Sequence, residues 1–222
     1  MKILFVGNSY TYFNDLPKLF EKIANENGKN LSAASVTRGG RQLCQHAESG
    51  DECTQKLERI VEDGEKYDLA VLQEQSILPI VDFDKFLFGA KALKEKLSCV
   101  ADGFLLYSTW GRKDGNATLE EYSWTHESMT KDLAEAYKRA GEQLEIPVSY
   151  VGLNFSEIYR NHEDVELYNP DKTHPSYKGT ALAALTIYNT VFGELPKMCE
   201  SLELSDFEKQ LFLETVEKQM HP

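Results

Sequence analysis

Ile3-Leu4-Phe5-Val6-Gly7-Asn8-Ser9 opens the chain with four apolar residues cut short by a glycine and two small polar ones. A continuous apolar run of that length is the pattern of a strand covered on both faces. Leu69–Leu72 and Gly103–Ser108 have the same character, and Ala33–Thr37 and Pro147–Val151 are two further candidate strands. The run at Ala33 is the weakest, because Ala33, Ala34 and Ser35 are small. Helical patterns separate the five. Leu16, Leu19, Phe20 and Ile23 share one face over Leu16–Asn27, with Asp15 as the cap, Pro17 in the first turn and Gly28 as the stop. Leu57, Ile60 and Val61 mark a second helix, Phe83–Leu97 a third and Leu119–Leu144 a long charged fourth. Ser176–Phe192 and Asp206–Gln219 are the last two.

Strands and helices in regular alternation predict a parallel sheet with helices on both sides. Right-handed crossovers leave few topologies. The expectation is a three-layer α/β/α fold whose five-stranded parallel sheet has the flavodoxin-like order. No linker, repeat or low-complexity tract divides the 222 residues, so one domain over 1–222 is expected, with the helix near 206–219 packed on it.

Composition narrows the function. Twenty-four basic against 36 acidic side chains leave a net charge of −12, a field that repels nucleic-acid phosphates and anionic lipid. No stretch approaches the ~20 apolar residues of a membrane span. Neither nucleic acid nor membrane is an expected partner, and nothing fixes an oligomeric state. Four irregularly spaced cysteines fit a reduced compartment. The apolar start is too short for a signal peptide, which makes the cytoplasm the expected location. Cys44, His46 and Cys53, with Glu48 and Asp51, match no common zinc spacing; no metal or other cofactor is expected.

In a doubly wound sheet, chemistry gathers in the loops at the carboxyl ends of the strands. Ser9 stands in such a loop, where Gly7 allows a sharp turn and Ser9's own N–H points at whatever its Oγ attacks. In Asp171-Lys172-Thr173-His174 the carboxylate can accept from imidazole Nδ1–H, leaving Nε2 free as a base toward a hydroxyl, or the segment is a surface turn capping the last large helix. Gly39-Gly40 offers backbone N–H groups with no Cβ in the way. Gln73-Glu74-Gln75-Ser76 puts amides directly after an apolar strand, and a Gln NH2 can serve a developing oxyanion. Glu74 reads as structural or as a binder of sugar hydroxyls. Trp110 reads as a sugar-stacking face or a core residue, and Tyr10, Tyr12 and Phe13 as acyl-pocket walls or packing. His126 reads as a surface or satisfied histidine.

Together these blocks resemble the SGNH hydrolases, the GDSL-type esterases and lipases. The resemblance runs over about residues 3–190: Gly7-Asn8-Ser9-Tyr10, Gly39-Gly40 and Asp171-x-x-His174 stand in the family's order. The third block departs, with Gln73-Glu74-Gln75-Ser76 where the family has Gly-x-Asn-Asp. It is similar to the Gln-Gly-Glu-Ser of some carbohydrate acetylesterases and to an uncharacterised bacterial branch with Gly-Asn-Ser and Gln-Glu-Gln-Ser blocks. The resemblance implies a nucleophile Ser9, a base His174 and its partner Asp171. It implies an oxyanion hole from Ser9, Gly39 or Gly40, and Gln73 with Gln75 as the fallback. Asn8, Tyr10, Glu74 and Trp110 are the expected substrate contacts. The expected substrate is a small-molecule ester, with the acyl group small because no apolar lid is present, such as acetyl on a carbohydrate. The alternatives are a lysophospholipase or thioesterase with the same triad, and a catalytically silent protein binding a glycan or metabolite.

Overall fold

Ile3 and Phe5 project from one face of the first strand and Leu4 and Val6 from the other, and all four are fully buried. That two-sided burial puts the strand at the centre of the sheet. The computed structural model, which describes residues 1–48 and 50–218, has β1 (Lys2–Gly7) between β2 (Ser32–Thr37) and β3 (Leu69–Leu72). Beyond β3 lie β4 (Phe104–Tyr107) and β5 (Val148–Ser149). The order is β2-β1-β3-β4-β5, all parallel. The strand order therefore reverses at β1, and the crevice at its carboxyl end is where Ser9 emerges.

The helices up to the third strand are α1 (Ser9–Tyr12), α2 (Leu16–Glu26), α3 (Leu43–Ala47) and α4 (Glu52–Glu62). Next come α5 (Leu78–Val81), α6 (Phe83–Leu97), α7 (Ala117–Glu121) and α8 (His126–Leu144). The chain continues with α9 (Val151–Asn161), α10 (Tyr177–Phe192) and α11 (Asp206–Lys218). Leu16, Phe20, Phe155, Leu182, Phe212 and Val216 bring α2, α9, α10 and α11 onto the Ile3 and Phe5 face. Leu57, Phe86, Leu93 and Leu133 bring α4, α6 and α8 onto the Leu4 and Val6 face. α10 is apolar nearly all round, Ala181 to Leu185 being buried without interruption, because it lies between the sheet and α11. These layers are the expected three-layer α/β/α fold.

Three local readings need correction, and a fourth falls partly outside the described residues. The fifth strand is only Val148–Ser149, and Val151 already starts α9, a helix absent from the sequence reading. The long fourth helix is two, α7 and α8. Ser123 takes a left-handed conformation (φ 55°) between them, and Thr125 restarts the helix in a reciprocal cap with Ser128. Asp15 stands at the start of α2 but caps nothing with its side chain, being itself left-handed. The last helix is described to Lys218, and its expected end at Gln219 lies outside the described residues.

α9 approaches the end of β4 so closely that a Cβ on Gly152 would lie 2.1 Å from the Thr109 carbonyl oxygen. Gly152→Ala is therefore expected to destabilise the protein by about 1–3 kcal/mol. The control is Gly103→Ala, whose Cβ would meet nothing nearer than 3.4 Å. Urea midpoints of the two variants and the parent measure the difference, and equal midpoints would contradict the packing.

Candidate active site

The turn that carries Ser9 is set by backbone accounting. Asn8 caps α1, its Oδ1 accepting from Tyr10 N–H at 3.2 Å, and its Nδ2 donates to the Arg41 carbonyl at 3.0 Å. Below the turn, Gln73 Oε1 accepts from Asn8 N–H at 3.0 Å and from the Thr11 hydroxyl at 2.9 Å. Ser9 is thus bracketed on both sides by one carboxamide. Gly7 makes this possible, since a Cβ there would lie 2.6 Å from both Gln73 Oε1 and Thr11 Oγ1. The Gly7 carbonyl in turn accepts from His46 Nε2 at 2.8 Å. Burial pushes His46 down to about 4, so its ring is neutral and carries the proton on Nε2.

At the other side of the cleft, His174 Nε2 lies 2.8 Å from Ser9 Oγ, and His174 Nδ1 lies 2.6 Å from Asp171 Oδ2. Asp171 Oδ1 accepts from the Thr173 and His174 amides, each at 3.0 Å. Burial would raise the Asp171 carboxyl, but the hydrogen bonds from His174 and Thr173 outweigh it and hold it below its usual value. An ionised Asp171 fixes the proton on Nδ1 and leaves Nε2 as an acceptor for the Ser9 hydroxyl. The structure thus brings Ser9, His174 and Asp171 into one line of contacts.

The expected oxyanion donors divide. Ser9 is the first residue of α1, where its N–H has no helical partner. Gly39 and Gly40 form the turn closed by Arg41 N–H to the Arg38 carbonyl at 3.2 Å, and their own N–H groups have no acceptor among the described residues. Gln73 is a correction. It is fully buried, its Oε1 faces Asn8 and Thr11, and its Nε2 donates to the Glu74 carbonyl. It props the turn that carries Ser9 and offers no donor to the cleft. Gln75 is half-buried, and its Oε1 accepts from Ile77 and Leu78 N–H at 3.0 and 3.1 Å. Its Nε2 has only a long 3.5 Å contact to Ser76, so this amide keeps hydrogens to give.

The four expected substrate contacts are also corrected, because each is buried. Asn8 is the helix cap described above. Glu74 is inaccessible, its carboxylate accepting from Leu43 N–H at 3.1 and 3.2 Å and from Gln75 N–H at 2.6 Å. Trp110 stacks on Phe155 with ring centroids 4.0 Å apart. Tyr10 packs between Trp110 and His174, at 4.8 and 5.7 Å. The aromatic that does reach His174 from a half-exposed position is Phe13, whose ring is parallel to the imidazole at 4.4 Å. Asn14 beside it donates to the Pro175 carbonyl at 3.2 Å and to Thr180 Oγ1 at 2.8 Å. Arg38 and Arg41 pair with Asp51. His126 is buried, with Nδ1 at 3.1 Å from the Arg112 carbonyl. Among the described residues, no three His, Cys, Asp or Glu side chains are grouped to hold a metal ion, and no helix is long and apolar enough to cross a membrane.

The fold is similar to that of a protein from Slackia heliotrinireducens proposed to be an SGNH hydrolase, with TM-score 0.75 and 26% identity over 86% of this chain and 98% of that one. A DUF4886 family protein from Bacteroides uniformis has TM-score 0.80 and 16% identity over 99% of this chain and 94% of its own. A mutant of an acetyl-xylooligosaccharide esterase from Geobacillus stearothermophilus has TM-score 0.63 and 13% identity, over 89% and 96%. No family model matches the chain, and no curated protein does. The fold is that of the SGNH hydrolases.

Glu74 makes the site's stability depend on pH. Burial pushes its carboxyl up to about 8, against the opposing hydrogen bonds from Gln75 and Leu43. Between its unfolded value near ~4.3 and about 8 the folded state binds more protons, so this contribution to stability falls as pH rises. Denaturant midpoints taken from pH 5 to 8 are expected to decline more steeply for the parent than for Glu74→Gln. Identical slopes would remove Glu74 as the cause.

Proposed function

We propose that this chain, an SGNH-superfamily hydrolase by its fold, is a serine esterase that removes a small acyl group by two-step acyl transfer. The observation that carries the reading is the continuous chain of contacts from Asp171 through His174 to Ser9, at 2.6 and 2.8 Å. His174 Nε2 takes the Ser9 proton as Oγ attacks the ester carbonyl, and the carbonyl oxygen becomes the oxyanion. The N–H of Ser9, a Gly39 or Gly40 N–H and the Gln75 amide are the donors that hold it. Collapse expels the alcohol, which takes the proton from His174. Water then repeats the sequence on the acyl-Ser9, releasing the acid and restoring the serine. Asp171 stays ionised and stabilises the imidazolium.

The substrate reading rests on analogy to the acetyl-xylooligosaccharide esterase with the same fold and on the walls of the cleft. Phe13 lies flat on His174, and the Tyr12 hydroxyl comes so near Gly39 that a Cβ there would be 3.2 Å from it. Aromatic walls this close to base and oxyanion loop favour a short acyl chain such as acetyl, carried on a carbohydrate.

Intact mass after treatment with a fluorophosphonate is expected to show one adduct on the parent and none on Ser9→Ala. Ser9→Ala should lose at least ~10³-fold in kcat on p-nitrophenyl acetate. No adduct on folded parent would leave a silent binding protein as the reading. A faster rate on octanoyl than on acetyl esters would overturn the small acyl group. Gln75→Ala is expected to lower kcat by about 10²-fold, and an unchanged kcat would exclude its amide from the oxyanion hole.

A further inference from the structure

The loop between β4 and α7 grips the segment that carries His174, and most of the grip falls on one residue. Thr173 lies between Asp171 and His174. Its carbonyl accepts from Trp110 Nε1 at 3.2 Å, and its Oγ1 accepts from both Arg112 and Asn116, the latter at 3.0 Å. Two backbone contacts flank it: Lys113 N–H donates to the Lys172 carbonyl at 3.0 Å, and Asn116 Nδ2 to the Asp171 carbonyl at 3.3 Å. The gripping loop is itself held from behind. Gly111 N–H donates to Thr130 Oγ1 at 3.0 Å, Tyr168 Oη to the Gly111 carbonyl at 2.6 Å, and His126 meets the Arg112 carbonyl. Arg112 also donates to Ser76 Oγ at 2.9 Å, in the loop after β3. Its side chain therefore spans from the Gln75 neighbourhood to the His174 neighbourhood. Among the described residues it pairs with no carboxylate, so two hydroxyls fix its guanidinium.

We propose that Thr173 is the positioning residue through which Arg112 and Asn116 hold His174 at attacking distance from Ser9. The proposal rests on the esterase reading above. Asp171 is half-exposed, and its hydrogen bond to the imidazole orients the ring within its own segment but does not fix that segment against the loop after β4. Clamping the residue between the two supplies that fixation. Thr173 touches neither reacting atom, so its effect passes through the orientation of His174.

The test compares Thr173→Val, which keeps the shape and loses the acceptor, with Thr173→Ser, which keeps the acceptor. In Thr173→Val, kcat on p-nitrophenyl acetate is expected to fall by about 10- to 100-fold with KM changed by less than about threefold, as for a misplaced base. Fluorophosphonate labelling should slow in parallel, and Thr173→Ser should recover most of both. Arg112→Gln and Asn116→Ala, each removing one donor from the partner loop, should give the same kcat-only loss if Thr173→Val does not fold. A kcat equal to the parent's in Thr173→Val, Arg112→Gln and Asn116→Ala, or a Ser variant as slow as the Val variant, would overturn the proposal. A readout independent of turnover is the downfield proton resonance of the His174–Asp171 hydrogen bond. It should shift or broaden in Thr173→Val and return in Thr173→Ser, and an unmoved resonance counts against the clamp. A parent that fails to react with the fluorophosphonate defeats the esterase reading alone, and the resonance still decides the clamp.

Discussion

The carboxamide of Gln73 reaches beneath the turn at Ser9 because Gly7 has no Cβ to exclude it. A single oxygen then accepts from the residue before the serine and from the residue two after it. Buried donors without partners cost about 1–3 kcal/mol each, so this oxygen satisfies two groups that the sharp turn would otherwise strand. Everything that follows depends on it. The cap made by Asn8, the free N–H of Ser9 and the direction of its Oγ all require the turn to have one conformation. The His46 bond to the Gly7 carbonyl secures the same turn from the opposite face.

The second block is joined to the third in the same manner. Glu74 accepts from Leu43 N–H at the start of α3, and the Gly39-Gly40 turn lies just ahead of that helix. A carboxyl kept out of water in this position ties the loop after β2 to the loop after β3. It does so as a structural bond between two candidate sources of oxyanion donors. Burial raises its proton affinity, which is the cost of using an acidic side chain as an internal brace.

Residue types announced the sheet and the nearness of Asp171 to His174 more clearly than they announced orientations. β1 and β3 are legible because burial on both faces demands uninterrupted apolar residues, and the Asp171-x-x-His174 spacing is legible because three residues suffice to bring carboxylate and imidazole together. α9 was hidden because Val151-Gly152-Leu153-Asn154-Phe155 carries a glycine and a buried asparagine on its packed side, which breaks the apolar period. The break between α7 and α8 turns on Ser123, a residue type that gives little warning of a left-handed backbone. For Gln73 and Gln75 the sequence identified two amides two residues apart. Only packing decides that the first turns inward to the backbone and the second keeps amide hydrogens without a close acceptor. Trp110 was open between core and cleft, and its stack on Phe155 closes that question.

Ser9 and His174 belong to opposite margins of the cleft, and the 2.8 Å between them is a property of neither loop alone. Ser9 is placed by β1 and Gln73; the His174 segment is placed by contacts from the loop after β4. Between them run two direct ties, the Phe13 ring lying on His174 and the Asn14 amide bonded to Pro175 and Thr180. Asn14 and Asp15 take left-handed conformations in succession, with φ 51° and 52°. Such backbone costs of order 1–3 kcal/mol per residue and persists only where surrounding contacts over-determine it. Here the contacts that hold it are the ones that join the two margins. The strained turn after Ser9 thus works in parallel with the Ser9–His174 contact: it brings Phe13 onto the imidazole while its neighbour Asn14 fastens the His174 loop to the Ser9 loop.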